Sequence, residues 1–300
     1  MKIYRKIISL AMALTIAATL SAHVFADTYY VIDGYRYKLS NNDQVILSGS
    51  EDSANPNLVV PGKVGIRDVS VVGLFAFSSD ENITSVSFEE ADNLVTISAY
   101  AFSNCRNLST VKLNSSIQNI GIGAFAGCWS LSEIDLETTK VKTINNSAFA
   151  NCSSLEEVVI PKTATKIDVF AFENCTSLSK ITIGSQVTEI ADTAFDNDTS
   201  LTIYCYPNTR AHLYAVEKNI PYVLLDGIKL GDVDKNSYVD IRDVTEIQKH
   251  LAELGEPLDE LALYAADVNG DGEVDITDAT AIQLFLAELD FTYPIGEYIS

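Results

Sequence analysis

Phenylalanines at positions 77, 102, 125, 149, 172 and 195 recur at steps of 25, 23, 24, 23 and 23 residues. Each follows an alanine: Ala76, Ala101, Ala124, Ala148, Ala171 or Ala194. Ile97, Ile120, Ile144, Ile167 and Ile190 stand five residues ahead of the phenylalanine in their own repeat. Six residues after the phenylalanines begin short apolar runs: Ile83-Val86-Phe88, Leu108-Val111-Leu113, Leu131-Ile134-Leu136, Leu155-Val158-Ile160 and Leu178-Ile181-Ile183. A unit this short cannot bury its own apolar side. Neighbouring units must stack, so that each residue type forms a column and the short runs pair as a parallel ladder.

A period of about 20–29 residues with an L-x-x-V-x-L run predicts a leucine-rich-repeat solenoid. The Ala-Phe-x-x-Cys-x-x-Leu signature resembles the BspA-like subfamily, which places the repeats and a closing cap helix at residues 67–225. The stretch Tyr206 to Ile220 resembles that subfamily's closing helix, which shields the last strand edge. Residues 27–66 carry Tyr29, Tyr30, Tyr35, Tyr37, Gln44-Val-Ile-Leu47 and Leu58-Val-Val-Pro61 in short alternating runs broken by turn residues. They predict a β-hairpin that caps the solenoid's first end. Cys105, Cys128, Cys152 and Cys175 each lie three residues past a repeat phenylalanine and form one row. Disulfides and free thiols both remain open for this row. Rungs about 4.7–4.9 Å apart, with side chains pointing alike, favour buried thiols over bridges.

A second periodic feature lies near the C-terminus. Asp267-Val-Asn-Gly-Asp-Gly-Glu-Val-Asp-Ile-Thr-Asp278 puts oxygen-bearing side chains at loop positions 1, 3, 5, 9 and 12, with Gly272 at position 6. Asp267, Asn269, Asp271, Asp275 and Asp278 with the Glu273 carbonyl match what a hard cation such as Ca²⁺ requires. The same pattern occurs 35 residues earlier as Asp232, Asp234, Asn236, Asp240 and Asp243, with the Tyr238 carbonyl. There Ser237 replaces the glycine, which puts strain into the turn. Each loop brings four carboxylates together, so metal binding and folding are expected to be coupled, with two Ca²⁺ ions in all. Val244, Ile247, Leu251 and Leu254 after the first loop, and Ala279, Ile282, Leu286 and Leu289 after the second, recur at helical spacing. Asp243 and Asp278 are expected to cap these helices.

Both loops end in Asp where a standard EF-hand has Glu, and no helix precedes the first. In these respects residues 228–290 resemble a type I dockerin: two loop–helix repeats joined by a short helix, here expected over Pro257 to Ala266. The resemblance implies calcium and a cohesin module of a scaffoldin as partner, and hence membership of a cellulosome. It also implies a contact surface at loop positions 10, 11, 17, 18 and 22. In the first repeat these are Ile241, Arg242, Gln248, Lys249 and Glu253; in the second, Ile276, Thr277, Gln283, Leu284 and Glu288. Ile-Arg and Ile-Thr stand where many dockerins carry a Ser/Thr pair. The chain as a whole is expected to be α+β: a leucine-rich-repeat solenoid with a parallel β ladder, then a small all-α calcium-binding dockerin module and a tail at 291–300.

Residues 1–26 hold Lys2, Arg5 and Lys6, an apolar run from Ile7 to Leu20, and Val24-Phe25-Ala26 before Asp27. This predicts a secretory signal peptide and an extracellular location. No later stretch is apolar enough to insert in a membrane. The net charge of −21 excludes the basic face that nucleic-acid binding needs. Glycoside hydrolysis needs two carboxylates facing each other across a cleft. Glu133, Asp135, Glu156 and Glu157 are expected on an open face, and His23, His212 and His250 are scattered, so no catalytic residues are assigned. The resulting expectation is a secreted non-catalytic protein associated with polysaccharide degradation, whose repeats bind a protein or cell-surface ligand. A glycoside hydrolase with an unrecognised site, and a surface adhesin using the calcium repeats as a spacer, are the alternatives.

Overall fold

The computed structural model describes residues 29–32, 34–40, 44–51, 55–207, 209–225, 227–289 and 292–299. The signal peptide expected at 1–26 lies outside them. The chain divides into two compact units, Met1–Ile183 with Val187–Ile203, and Gly184–Gln186 with Tyr204–Ser300.

The first unit opens on three antiparallel strands, Tyr30–Ile32, Tyr35–Leu39 and Val45–Ser50. The last of these pairs in parallel with Arg67–Val72, so the expected hairpin is a meander that turns into the ladder. On one side of the coil, Asn57–Val59, Ser85–Ser87, Thr110–Lys112, Glu133–Ile134, Glu157–Val159 and Lys180–Ile183 pair in parallel, each with the next. On another, Thr96–Ile97 pairs with Asn119–Ile120, and Thr143–Ile144 with Lys166–Ile167 and Glu189–Ile190. Register sets like against like: Val111 lies between Val86 and Ile134, and Ile167 between Ile144 and Ile190.

The six phenylalanines form one stack. Ring centroids from Phe77 through Phe102, Phe125, Phe149 and Phe172 to Phe195 are 5.1, 5.4, 5.8, 5.4 and 5.5 Å apart, and all six rings are buried. The preceding alanine carries the backbone connection. Phe77, Phe102, Phe125, Phe149 and Phe172 donate their N–H to the carbonyl of Ala101, Ala124, Ala148, Ala171 and Ala194 in the next rung, at 2.8–2.9 Å. A larger side chain at these buried alanines would push the rungs apart.

All five cysteines are free and buried. The four in the row are more than apolar filler. Cys105, Cys128, Cys152 and Cys175 donate from Sγ to the carbonyls of Phe77, Phe102, Phe125 and Phe149 in the preceding rung, at 3.0–3.3 Å. Burial pushes the Cys105 thiol up to about 12. One position further along the same column, three residues past Phe195, stands Asp198 instead of a cysteine. It is only 9% exposed. Neither of its carboxylate oxygens closes a hydrogen bond, and burial pushes its pKa up to about 8 against a weaker pull from the Cys175 amide.

In the second unit, α1 (Arg210–Lys218) falls within the stretch expected to hold a closing helix, capped by Thr209 and ended by Asn219 in the left-handed region. Three further helices follow: α2 (Ile241–Leu251), α3 (Glu260–Ala266) and α4 (Ile276–Leu286). Leu230, Val233, Val244, Ile247, Val268, Ala279, Ile282 and Ile295 form their shared core. The connecting helix expected from Pro257 begins three residues later, because Asp259 accepts the Ala262 N–H and caps it there. Leu251, Leu254, Leu286 and Leu289 continue the helical spacing yet are 37–62% exposed; the buried part of each stripe ends one turn earlier. The expected tail is a strand. Tyr298–Ile299 pairs antiparallel with Ile228–Lys229, so the module is not wholly helical.

Asp198 generates a test. Its folded pKa is raised, so below about pH 4 folded and unfolded chains are both protonated there and the residue costs nothing. As pH rises towards 8, the unfolded state alone releases the proton and folding loses stability. Asp198→Asn should therefore be more stable than wild type by an amount that grows between pH 4 and pH 8, on the order of 3–5 kcal/mol at the upper end. Paired thermal unfolding curves across this range check it; a constant difference between the two proteins is the contrary result.

Candidate metal centre

The two aspartate loops are built on the same hydrogen bonds. In the first, Asp243 Oδ1 accepts the Val233 and Asp234 N–H at 2.7 and 3.1 Å, and Oδ2 accepts the Asp240 N–H at 2.7 Å. In the second, Asp278 Oδ1 accepts the Val268 and Asn269 N–H at 3.0 and 3.3 Å, and Oδ2 accepts the Asp275 N–H at 2.9 Å. Both carboxylates are fully buried. The helix caps are therefore not Asp243 and Asp278 but Asp240 and Asp275, whose side chains accept the Arg242 and Thr277 N–H. Asp243 and Asp278 sit three residues inside and reciprocate, which completes a capping box. The correction follows from spacing: a carboxylate reaches an N–H two or three residues ahead, and the helices begin at Ile241 and Ile276.

The backbone turns as the spacing requires. Gly272 adopts φ +88°, and Ser237 at the equivalent position is held at φ +71°, in the region a side chain disfavours. Asp232 Oδ2 accepts the Ser237 N–H at 2.7 Å, as Asp267 Oδ2 accepts that of Gly272 at 2.9 Å. Asn236 and Asp271 each accept the N–H two residues on, from Tyr238 and Glu273.

One atom of the first loop is left over. Asp232 is 6% exposed and its Oδ1 is buried without any hydrogen-bond partner. Carboxylate oxygens of Asp232, Asp234 and Asp243 lie within 4.8 Å of one another. Burial raises Asp232 to about 6 and also raises Asp243 and Asp278. A buried oxygen with no donor, converging with two further carboxylates, fits a hard oxygen-seeking cation. In the second loop Asp267 Oδ1 instead accepts the Gly270 and Asp271 N–H at 2.9 and 3.1 Å.

The helix positions singled out from the sequence lie on the surface. Ile241, Arg242, Gln248, Lys249 and Glu253 are exposed, as are Ile276, Thr277, Gln283 and Glu288, while Leu284 is half-buried. Ile241 and Ile276 are 60% and 58% exposed, at equivalent places one residue past each cap. The acids of the repeat unit, Glu133, Asp135, Glu156 and Glu157, stand exposed on the ladder face.

A family profile described as BspA type leucine rich repeat region matches residues 70–202 in six copies. A second, described as dockerin type I domain, matches residues 230–287. The chain joins BspA-type leucine-rich repeats to a type I dockerin domain. Both are non-catalytic modules, and type I dockerin domains bind calcium and pair with cohesins. Among solved structures, a leucine-rich-repeat protein of T. pallidum is 23% identical over 58% of this chain and 79% of that one, with a TM-score of 0.53, a likeness of fold. A leucine-rich cell-surface protein of Faecalibacterium prausnitzii is also 23% identical, over 59% of this chain and 54% of that one, with a TM-score of 0.48. No curated protein matches the chain. Among the described residues, no helix is long and apolar enough to cross a membrane.

The dockerin's buried aspartates separate into two kinds, and mutation distinguishes them. Asp243→Ala orphans three amide N–H groups and should cost about 2–4 kcal/mol in chelator. Asp232→Ala discards an unpartnered oxygen and the bond accepted from the Ser237 N–H, so in chelator it should cost less than Asp243→Ala, while calcium's stabilising effect on that loop disappears. Thermal unfolding of each variant with calcium and with chelator checks this; equal losses in chelator would contradict it.

Proposed function

We propose that this is an exported docking protein without catalytic activity. Its dockerin holds one Ca²⁺ in each loop, through Asp232, Asp234, Asn236, Asp240, Asp243 and the Tyr238 carbonyl, and through Asp267, Asn269, Asp271, Asp275, Asp278 and the Glu273 carbonyl. The loaded module inserts into a cohesin of a scaffoldin and so joins a cellulosome engaged in polysaccharide breakdown. Meanwhile the repeats present their polar ladder face to a protein or cell-surface ligand. The observation that carries this reading is the unpartnered, buried Asp232 oxygen beside Asp234 and Asp243, directly beneath the exposed start of α2.

Calcium's part here is to neutralise converging carboxylates and hold each loop closed. The chain's own residues do the rest. Asp240 and Asp275 start the helices, Asp243 and Asp278 lock loop to helix, and these contacts present Ile241, Arg242, Gln248, Lys249 and Glu253, or Ile276, Thr277, Gln283, Leu284 and Glu288, to the partner. Because the two repeats share one geometry, either can face the cohesin.

An array of cohesins from the source organism, probed with the mature protein in millimolar calcium and in chelator, tests the reading. Binding to at least one cohesin, lost in chelator, is the expected result; no binding to any would refute the docking role. Changing Ile241 and Arg242 together should leave binding nearly intact, whereas changing them with Ile276 and Thr277 should abolish it.

A further inference from the structure

The two loops carry four carboxylates each, yet their surroundings differ in charge. Lys229, Lys235 and Arg242 cluster around the first, whereas the chain has no lysine or arginine after Lys249. Arg242 grips the first loop's position-9 side chain as a fork. Its Nε donates to Asp240 Oδ1 and Oδ2 at 3.1 and 3.0 Å, and its Nη2 to Oδ2 at 2.6 Å. The same guanidinium reaches within 4.0 Å of Asp234, another ligand position. Lys229 Nζ donates to the Ser237 carbonyl at 2.9 Å and interacts electrostatically with Asp232 and Asp243. At the equivalent site of the second loop Thr277 occupies Arg242's place, and its two bonds to Asp275 both fall on Oδ1, at 2.6 Å.

Exposed ion pairs contribute little when two flexible chains meet by chance, but a forked guanidinium on a carboxylate is the geometry that holds. Asp240 therefore has two cations competing for it. A metal ion in the first loop must draw Asp240 and Asp234 away from Arg242, and Arg242 must then turn outwards or remain as a repelling charge at the ion's edge.

Resting on the calcium reading above, we infer that Arg242 is a resident competitor for calcium in the first loop alone, so that loading this loop releases a basic side chain onto the docking face of α2. The second loop has no such counterpart. Its uptake leaves the charge of its docking face unchanged, and the two faces, alike in backbone, differ in charge once both ions are bound. The first face then suits an acidic partner surface and the second a neutral one.

Calorimetric titration of the mature protein with calcium alone tests this. Two backgrounds isolate the loops: Asp267→Ala leaves only the first able to load, and Asp232→Ala only the second. In the first background Arg242→Thr should tighten calcium binding about five- to tenfold, the effect expected for a unit charge roughly 6 Å from a divalent ion in water. In the second background it should change nothing. Arg242→Lys keeps the charge but loses the fork, and should fall between the two. No change in the first background, or equal tightening in both, overturns the inference while the calcium reading stands. No uptake in either background overturns both. Arg242 is exposed, so its replacement leaves the fold intact and the comparison interpretable.

Discussion

Everything in the repeat unit follows from the spacing of a parallel ladder. Strands about 4.7–4.9 Å apart bring equivalent residues of successive rungs into direct contact, so each position meets its own kind. Flat rings tolerate that well, and the phenylalanine centroids keep to 5.1–5.8 Å. Alanine beside them keeps the rungs close enough for the Phe N–H to reach the next carbonyl. No rung closes a core alone: Phe102, Leu108, Val111 and their counterparts are buried by the neighbours above and below. The same arithmetic makes Asp198 expensive, because a column built for thiols offers a carboxylate only a weak pull from the Cys175 amide.

The dockerin solves a different problem. Its core is small, and two fully buried carboxylates lie at the edge of it. They belong there because each satisfies three amide N–H groups that would otherwise be stranded where loop becomes helix. Hydrogen bonding rather than hydrophobic burial therefore fixes the angle between each loop and its helix. Ile295 and the strand Tyr298–Ile299 add a second fastening: Tyr298 pairs with Lys229, stacks on Tyr206 with centroids 4.4 Å apart, and donates its hydroxyl to the Pro207 carbonyl.

The sequence made the two periodic features legible because each is repeated in register. Phenylalanine steps of 23–25 residues and the 35-residue duplication of the aspartate loops leave few alternative folds. Less legible was anything decided by a single residue. Which of several nearby aspartates caps α2 depends on where the helix starts, and only the coordinates show Asp240 doing so. The start of α3 moved from Pro257 to Glu260 for the same reason. A two-residue strand at 298–299 has no period to detect. Phe75, Tyr100, Ser147 and Phe170 adopt φ of 54–57°, a backbone region that composition would assign to glycine, as at Gly123 in the same column. The Arg242–Asp240 fork is hidden in the sequence because each residue also fits another pattern, a docking position and a metal ligand.

The thiol row has a chemical consequence. Disulfide exchange is carried out by the thiolate, and a cysteine whose pKa lies near 12 supplies almost none at neutral pH. With its hydrogen committed to a carbonyl of the preceding rung and its sulfur buried, each thiol of the row is poorly placed for exchange while the rungs stay closed. Exchange at this row therefore requires the rungs to open, so its rate would report how often the solenoid unstacks.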